Sequence, residues 1–304
     1  MTAAQLTLGR SPWSATRINR FATTWGWLLA PLTLLMLAFY LLPILQSFIN
    51  SFHPNTTTGI DASRWTLTNY ARLFDPHYGE VYWRTLRISL IITLISPLLA
   101  FPVALYLARA RTSTQAVLLL VYMAPWLVNV VVKSFGWSLL LRGNGVINQA
   151  LISIGLIDAP LRLMYSETGI IIALIHGHFL FVLLPLWIAL KSIDPNLAWA
   201  AGNLGARPWA VFRRITAPLT IPALVSGAII NFTLNMAAFA TPALIGGSRV
   251  RMLSFVAYEA NLIELNWPFG GAIGLTLLAL ALLLAWLAHR IARLSSTYAA
   301  VGAK

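Results

Sequence analysis

The sequence contains no cysteine and only eight acidic residues, and charged residues of either sign make up 10% of it. The first absence excludes a disulfide framework, thiolate metal sites and thiol nucleophiles. The scarcity of charge excludes an ordinary soluble domain, which carries about 25% charged residues. Lysine is rarer than the acidic residues. There are three, Lys133, Lys191 and Lys304, and none follows a glycine. A phosphate-cradling loop of the form Gly, four residues, Gly-Lys-Ser/Thr is therefore missing, and with it an ATP-hydrolysing site of that kind.

What is present is apolar. Of 304 residues, 59% are hydrophobic. Six runs are long enough to cross a bilayer, which takes about 20 residues. They cover about 25–49, 88–108, 116–141, 169–190, 219–247 and 269–287. Backbone groups in hydrocarbon must be satisfied internally, and runs this long mean helices. The expected fold is an all-α integral membrane protein: a tail over residues 1–24, one transmembrane domain over 25–294, and a tail over 295–304. A cleaved signal peptide is the rival for the first run. That run exceeds a typical apolar signal region of about 7–15 residues and has no clear small-residue cleavage site, so an uncleaved span is expected. No soluble second domain and no internal repeat is visible.

Six spans put both termini on one side. That side carries twelve basic residues against one acid, Asp194, and the other carries eight arginines against seven acids. Basic residues in short loops favour the cytoplasm, so cytoplasmic termini are expected in a bacterial inner membrane. This distribution accounts for the net charge of +13 without nucleic acid as a partner. The surrounding lipid is a partner by default.

Few residues inside the spans could do chemistry. Lys133 lies in the third run. It either lines the outer part of a pathway or snorkels to the outer surface. His176 and His178 project about 200° apart on a helix and cannot share one metal ion; packing between helices suits them better, and no metal site is expected. Asn231 and Asn235 share one face of the fifth run, and Asn129 lies in the third. These amides are candidates for cavity polar groups or for interhelical hydrogen bonds. Thr241-Pro242 is expected to interrupt the fifth helix near its outer end, as a gate or simply as a terminus. Gly270 and Gly274 have the spacing of a close helix contact.

The most patterned stretch runs from Asp194 to Pro222. Asp194 is a good N-cap and Pro195 suits the first helical position. Leu197, Ala200, Ala201 and Leu204 recur at helical spacing. Gly205 is a natural left-handed stop. Pro208 restarts a helix, and Pro218 and Pro222 are expected to change its course. Arg207, Arg213 and Arg214 add charge. Taken locally, this is either an ordinary loop between membrane helices or a face shaped for another protein. The segment resembles the cytoplasmic loop of ABC-importer permeases, with Ala200, Ala201, Gly205, Ala206, Phe212 and Pro218 at the matching positions. The resemblance implies a type I importer permease of MetI-like architecture. It also implies that residues 194–218 form coupling helices docked on a dimer of ATP-binding subunits. Trp199 stands where that family has glutamate, so docking at this end rests on apolar packing and on Arg207, Arg213 and Arg214.

Further motifs resemble spermidine/putrescine-type permeases within that family. They are Thr66-Leu-Thr-Asn-Tyr, Gly145-Val-Ile-Asn, Thr241-Pro-Ala-Leu-Ile-Gly-Gly and Leu265-Asn-Trp-Pro-Phe-Gly. The resemblance implies a second permease subunit, identical or homologous, an extracytoplasmic solute-binding protein, and ATP bound only by the partner subunit. The chain itself is then not an enzyme and carries no cofactor. A polyamine is the favoured solute. An amino-acid-derived, opine-like or phosphonate solute is the alternative, because no acid lies inside a span. An ion-coupled secondary transporter, which would normally carry such acids, is a more distant one.

Overall fold

The computed structural model describes residues 15–57 and 59–301, with side chains from Leu29 to Ala288, Thr58 apart, and at Arg290. Residues 1–14, with Arg10, and 302–304, with Lys304, lie outside the described residues. Among the described residues, four helical stretches are long and apolar enough to cross a membrane: Leu29–Ser51, Pro76–Arg109, Pro208–Met236 and Trp267–Ala288. Two further helix pairs, each bent by more than 40° at a short break, bring the spans to six when each pair is counted as one crossing. The chain thus has the all-α membrane fold expected from its apolar runs, with two spans broken.

In chain order the elements are α1 (Ala15–Ser51), the two-residue strands β1 (Asn55–Thr56) and β2 (Gly59–Ile60), α2 (Thr68–Arg72) and α3 (Pro76–Arg109). Next come α4 (Thr112–Leu127), α5 (Val130–Leu141), α6 (Val146–Ser153), α7 (Glu167–His178) and α8 (Leu180–Ser192). Then follow α9 (Pro195–Asn203), α10 (Pro208–Val211), α11 (Ala217–Met236), α12 (Leu253–Tyr258) and α13 (Trp267–Val301). The ends of α1 and α13 continue into the stretches expected to be tails. β1 and β2 pair antiparallel beyond the end of α1. There the Ser63 hydroxyl and backbone N–H hold the Asp61 carboxyl below its usual range.

The third run is not one helix. The stretches Thr112–Leu127 and Val130–Ser153 meet at 97°. Pro125 starts the break because it has no N–H for the preceding turn. Asn129 completes it by accepting the Val131 N–H at 2.9 Å as an N-cap. The fourth run bends by 44° at Phe179. Conversely, no change of course follows Pro208. The chain from Pro208 to Met236 is continuous. A π-turn over Phe212–Thr216 widens the helix just before Pro218, and the Ala217 N–H bonds Phe212 O. The wider turn relieves the clash between a proline ring and the carbonyl four residues back. The fifth span ends earlier than expected, at Met236, and helical structure resumes at Ala240. Thr241-Pro242 therefore lies inside this new turn. The Pro242 ring displaces the Ala238 carbonyl, which the Ser254 hydroxyl takes up at 2.5 Å.

The core is built around α3. Ala100, Ala104 and Leu107 pack on Val182, Leu183 and Leu186 of α8. Ile88 and Ile92 pack on Ile170, Ala173 and Leu174 of α7. The latter end is also tied by charge. Glu167 receives Arg87 at 2.6 and 2.7 Å and Arg84 at 3.5 Å. Contacts level the two ends of the bundle. Arg109, Lys191 and the 194–216 segment share one end. Glu167, α6 and α12 lie at the other. We call these the Asp194 end and the Glu167 end.

α11 crosses α8 at Gly227. A Cβ there would lie 3.1 Å from Val182 Cα and 3.2 Å from Phe181 O, a carbonyl for which Pro185 has no N–H. Gly136 of α5 has open space around it. Gly227→Ala is expected to destabilise the fold by about 1–3 kcal/mol by overpacking. Gly136→Ala should stabilise it by about 0.5–1 kcal/mol through helix propensity. Thermal unfolding in detergent, followed by tryptophan fluorescence, tests the pair. A higher midpoint for Gly227→Ala would contradict the close crossing.

Candidate functional site

Two places concentrate the residues singled out in the sequence. The first is the segment between α8 and α11. The Asp194 carboxylate accepts the Asn196 N–H at 2.9 Å and starts α9 with Pro195 in its first turn. Leu204 closes the helix, and Gly205 follows at φ +80°, as expected of a left-handed stop. The Gly205 N–H bonds Gly202 O at 2.9 Å, and Ala206 N–H bonds Ala201 O at 3.0 Å. α10 then turns back toward the bundle. Trp209 stacks on Phe212 with centroids 5.2 Å apart, and Phe212 meets Phe101 of α3 edge-on at 5.3 Å. Phe212 is thus the anchor joining the segment to the spans.

Most of the segment's remaining apolar surface faces outward, uncovered by any other described element. Leu197, Trp199, Leu204 and Trp209 are 45%, 70%, 89% and 69% exposed. Ala200 and Gly205 are exposed, and Ala201 and Ala206 are half-buried beneath them. Arg207, Arg213 and Arg214 are exposed and make no ion pair among the described residues. Pro218 is different: it is half-buried within the continuous helix and shapes the segment from behind. Between this segment and α3 lies a cleft of about 670 Å³, lined by Phe101, Arg109, Ala198, Gly202 and Trp209 among others. A large apolar surface rimmed by arginine, at the tip of a helix pair, is the profile of a protein contact. The sequence pattern found the helices and the stop. It did not show that Trp209 and Leu204 project, because a period alone does not say which face is covered.

The second place is a polar layer inside the bundle. Asn231 and Asn235 are fully buried in α11. Asn235 Nδ2 donates to Asn231 O at 2.8 Å and to Asn231 Oδ1 at 3.1 Å. Asn235 Oδ1 accepts from His178 Nδ1 at 2.8 Å, which fixes the proton of that ring on Nδ1. Asn231 Nδ2 is buried without a hydrogen-bond partner among the described residues. Thr241 is buried and shares a hydrogen bond of 3.0 Å with Ser134 of α5. Lys133 neither points into open water nor lies flat on the outer surface. Its ammonium donates to Pro125 O at 3.1 Å and sits against Gly177. It thereby fastens the end of α4 to α5 across the break, where a cation also suits the helix C-terminus. Gly177 leaves room for it between the two histidines. His176 turns away and accepts the Trp137 indole N–H at 3.2 Å.

The structure therefore joins Asn231, Asn235 and His178 in one network and Ser134 with Thr241, while Lys133, next to Ser134 on α5, bonds Pro125 O instead. Asn129 stays apart, exposed, as the cap of α5. Ser134, Trp137 and Gly177 escaped the sequence reading. Their one signal was proximity to Lys133 or the histidines. Of the two close-packing glycines, Gly270 is one: a Cβ there would collide with the Asn261 side chain, whereas Gly274 faces open space. No cluster of three metal-ligating side chains exists among the described residues.

Asn235→Leu would strand the His178 donor and an Asn231 acceptor. It is expected to cost about 1–3 kcal/mol. Thr241→Val removes one hydroxyl whose partner Ser134 also bonds Val130 O, and should cost about 0.5–1.5 kcal/mol. Unfolding midpoints of the two variants, measured side by side, check this order. An equal or reversed ranking would show that the amide network is not the stronger tie.

Comparison with known proteins sets this geometry in context. Residues 81–296 match the model of the binding-protein-dependent transport system inner membrane component family. The chain is 32% identical over 259 residues to the spermidine/putrescine transport system permease protein PotB of Haemophilus influenzae, covering 85% of this chain and 91% of that one. It is also 32% identical over 259 residues to PotB of Escherichia coli K12, covering 84% and 94%. Among solved structures, a bacterial alginate ABC transporter in complex with an alginate pentasaccharide-bound periplasmic protein superimposes with a TM-score of 0.75. The match has 18% identity and covers 92% of this chain and 97% of that one. With a transport-family match over most of the helical bundle, relatives of nearly equal length and a shared fold, the chain belongs to the binding-protein-dependent transport system inner membrane component family, as an ABC-importer permease.

Proposed function

We propose that this permease imports a small organic solute, with a polyamine favoured, by ATP-driven alternating access, and that the Asp194 end faces the cytoplasm. The single observation that carries the coupling mechanism is the projecting α9–α10 unit. It is apolar where it is exposed, and Phe212 anchors it to α3. In this reading a dimer of ATP-binding subunits grips Leu197, Trp199, Leu204 and Trp209. Closure of that dimer then moves α10 and α11 together, because Pro208 to Met236 is one continuous helix. The tip cannot swing without moving the far half of the span that carries Asn231 and Asn235. Trp199 replaces a charged contact by burial of a large aromatic face. ATP is hydrolysed on the partner subunit, a second permease subunit completes the pathway, and a solute-binding protein delivers cargo at the Glu167 end.

Polyamine is favoured by the identity to the PotB permeases over most of both chains. One observation favours the alternative of an amino-acid-derived, opine-like or phosphonate solute. All eight acids lie at helix ends or in connecting segments, and Lys133 is the charge within the polar layer. Two experiments test the proposal. In vesicles holding the assembled transporter, radiolabelled spermidine uptake is expected to require ATP and the binding protein, and excess unlabelled putrescine should reduce it. Uptake without ATP would overturn the importer mechanism; ATP-dependent uptake of an anionic solute but not of spermidine would move the solute to the alternative class. The second experiment concerns Gly205, whose Cβ position is unobstructed but whose φ is left-handed. Gly205→Val is expected to lower coupled uptake about tenfold or more, given a cost of about 1–2 kcal/mol for that conformation. Gly205→Asn, which tolerates it, should keep most activity. Equal activity of the two variants would remove the fixed stop from the mechanism.

A further inference from the structure

Eight arginines lie at the Glu167 end. Five have partners within the chain. Arg64 pairs with Asp61, Arg84 with Glu80 and Glu167, Arg87 with Glu167, and Arg251 with Glu259. Arg72 lies over the Phe269 ring at 4.4 Å and donates to the Tyr78 hydroxyl. The remaining three, Arg142, Arg162 and Arg249, have no acidic partner among the described residues. All three line the same cleft, of about 440 Å³. They come from three separate segments, so no local repeat explains the meeting.

The cleft is a built feature. Arg142 and Arg162 are held level by Asn148, which is fully buried. Its Nδ2 donates to Arg142 O and Leu161 O at 3.0 Å each, and its Oδ1 accepts Leu161 N–H at 2.8 Å. Arg249 is positioned by the next layer. Tyr165 adopts φ +61° and donates its N–H to Ile245 O at 2.9 Å. Its ring lies against Gly247, where a Cβ would be 3.0 Å away. A left-handed conformation at a non-glycine residue costs about 1–2 kcal/mol, and three uncompensated cations repel one another. Nothing in the packing of the bundle requires the guanidinium groups, which are exposed.

We infer that this cleft is the electrostatic dock for acidic side chains on the solute-binding protein, an inference that rests on the importer reading above. The chemistry favours carboxylates on a protein. Guanidinium forks match carboxylates bidentately, and arginine beside exposed tyrosine is the composition of a protein interface. The opening is wider than one small ion needs, and its three charges are spread over separate loops. They can engage several carboxylates at once and steer the approach of an acidic surface.

The test uses the assembled transporter in nanodiscs and the purified solute-binding protein that supports uptake by it. Association is measured at about 50 and 300 mM salt, a range over which exposed charges become screened. A triple Arg142→Gln, Arg162→Gln, Arg249→Gln variant is expected to associate about tenfold or more slowly at low salt and to lose most of the salt dependence. The triple lysine variant should keep most of both. Arg64→Gln, outside the cleft, should match the wild type. Unchanged association of the triple glutamine variant, while the wild type transports, would overturn the dock and leave the importer reading standing. A defect seen only in discs of anionic lipid would reassign the cleft to a lipid headgroup. A defect in uptake with normal binding-protein affinity would reassign it to the solute. Either result overturns the inference. Failure of the wild-type complex to couple ATP to uptake would instead overturn the importer reading.

Discussion

A helix that breaks inside hydrocarbon leaves carbonyl oxygens that water cannot reach, and each needs a partner from the protein. Prolines lie at or near the breaks in the third and fifth runs, and two of the carbonyls freed there have side-chain partners. Lys133 takes the carbonyl of Pro125, and Ser254 takes that of Ala238. A π-turn absorbs Pro218 without leaving the helix. Gly227 brings α11 against the turn of α8 that Pro185 loosens. Several polar groups of the interior, Lys133 and Ser254 among them, are therefore placed where the backbone is interrupted.

This explains why the same few residues look functional and structural at once. Lys133 is half-buried and charged, yet its ammonium is committed to a helix end. Asn235 bonds both its own helix and His178 on the bent fourth span. These side chains make the bends specific rather than loose, because an unmade hydrogen bond in that layer costs more than the net value of a made one. Bent spans held by discrete polar ties also suit alternating access, where packed elements switch between a few arrangements instead of deforming smoothly.

The two ends of the bundle differ in how they use exposed surface. At the Asp194 end, tryptophan and leucine project from short helices with arginine around them. At the Glu167 end most arginines are consumed by local carboxylates or an aromatic ring, and three remain together. One surface is apolar at its centre and the other is electrostatic. That difference fits the proposed uses of the two faces, burial against one partner and electrostatic encounter with another.

Much was legible in the sequence. Run length and the scarcity of charge determined a helical membrane protein of six spans. Asp194, Pro195 and Gly205 determined the start, first turn and stop of α9, because capping and left-handed φ are local properties. Pro242 marked a place where a ladder bond was missing, whereas the break at Pro125 was not anticipated within the third run. Whether the chain would bend by 97°, curve or continue through a π-turn was decided only by the tertiary structure. The reason is that each outcome depends on a partner outside the helix that bends: Lys133 of α5 for Pro125, Ser254 of α12 for Ala238, Val182 of α8 against Gly227. The projecting face of Trp209 and Leu204 and the meeting of Arg142, Arg162 and Arg249 belong to the same class. They follow from which surfaces are covered and which loops are level, and no window of the sequence contains that information.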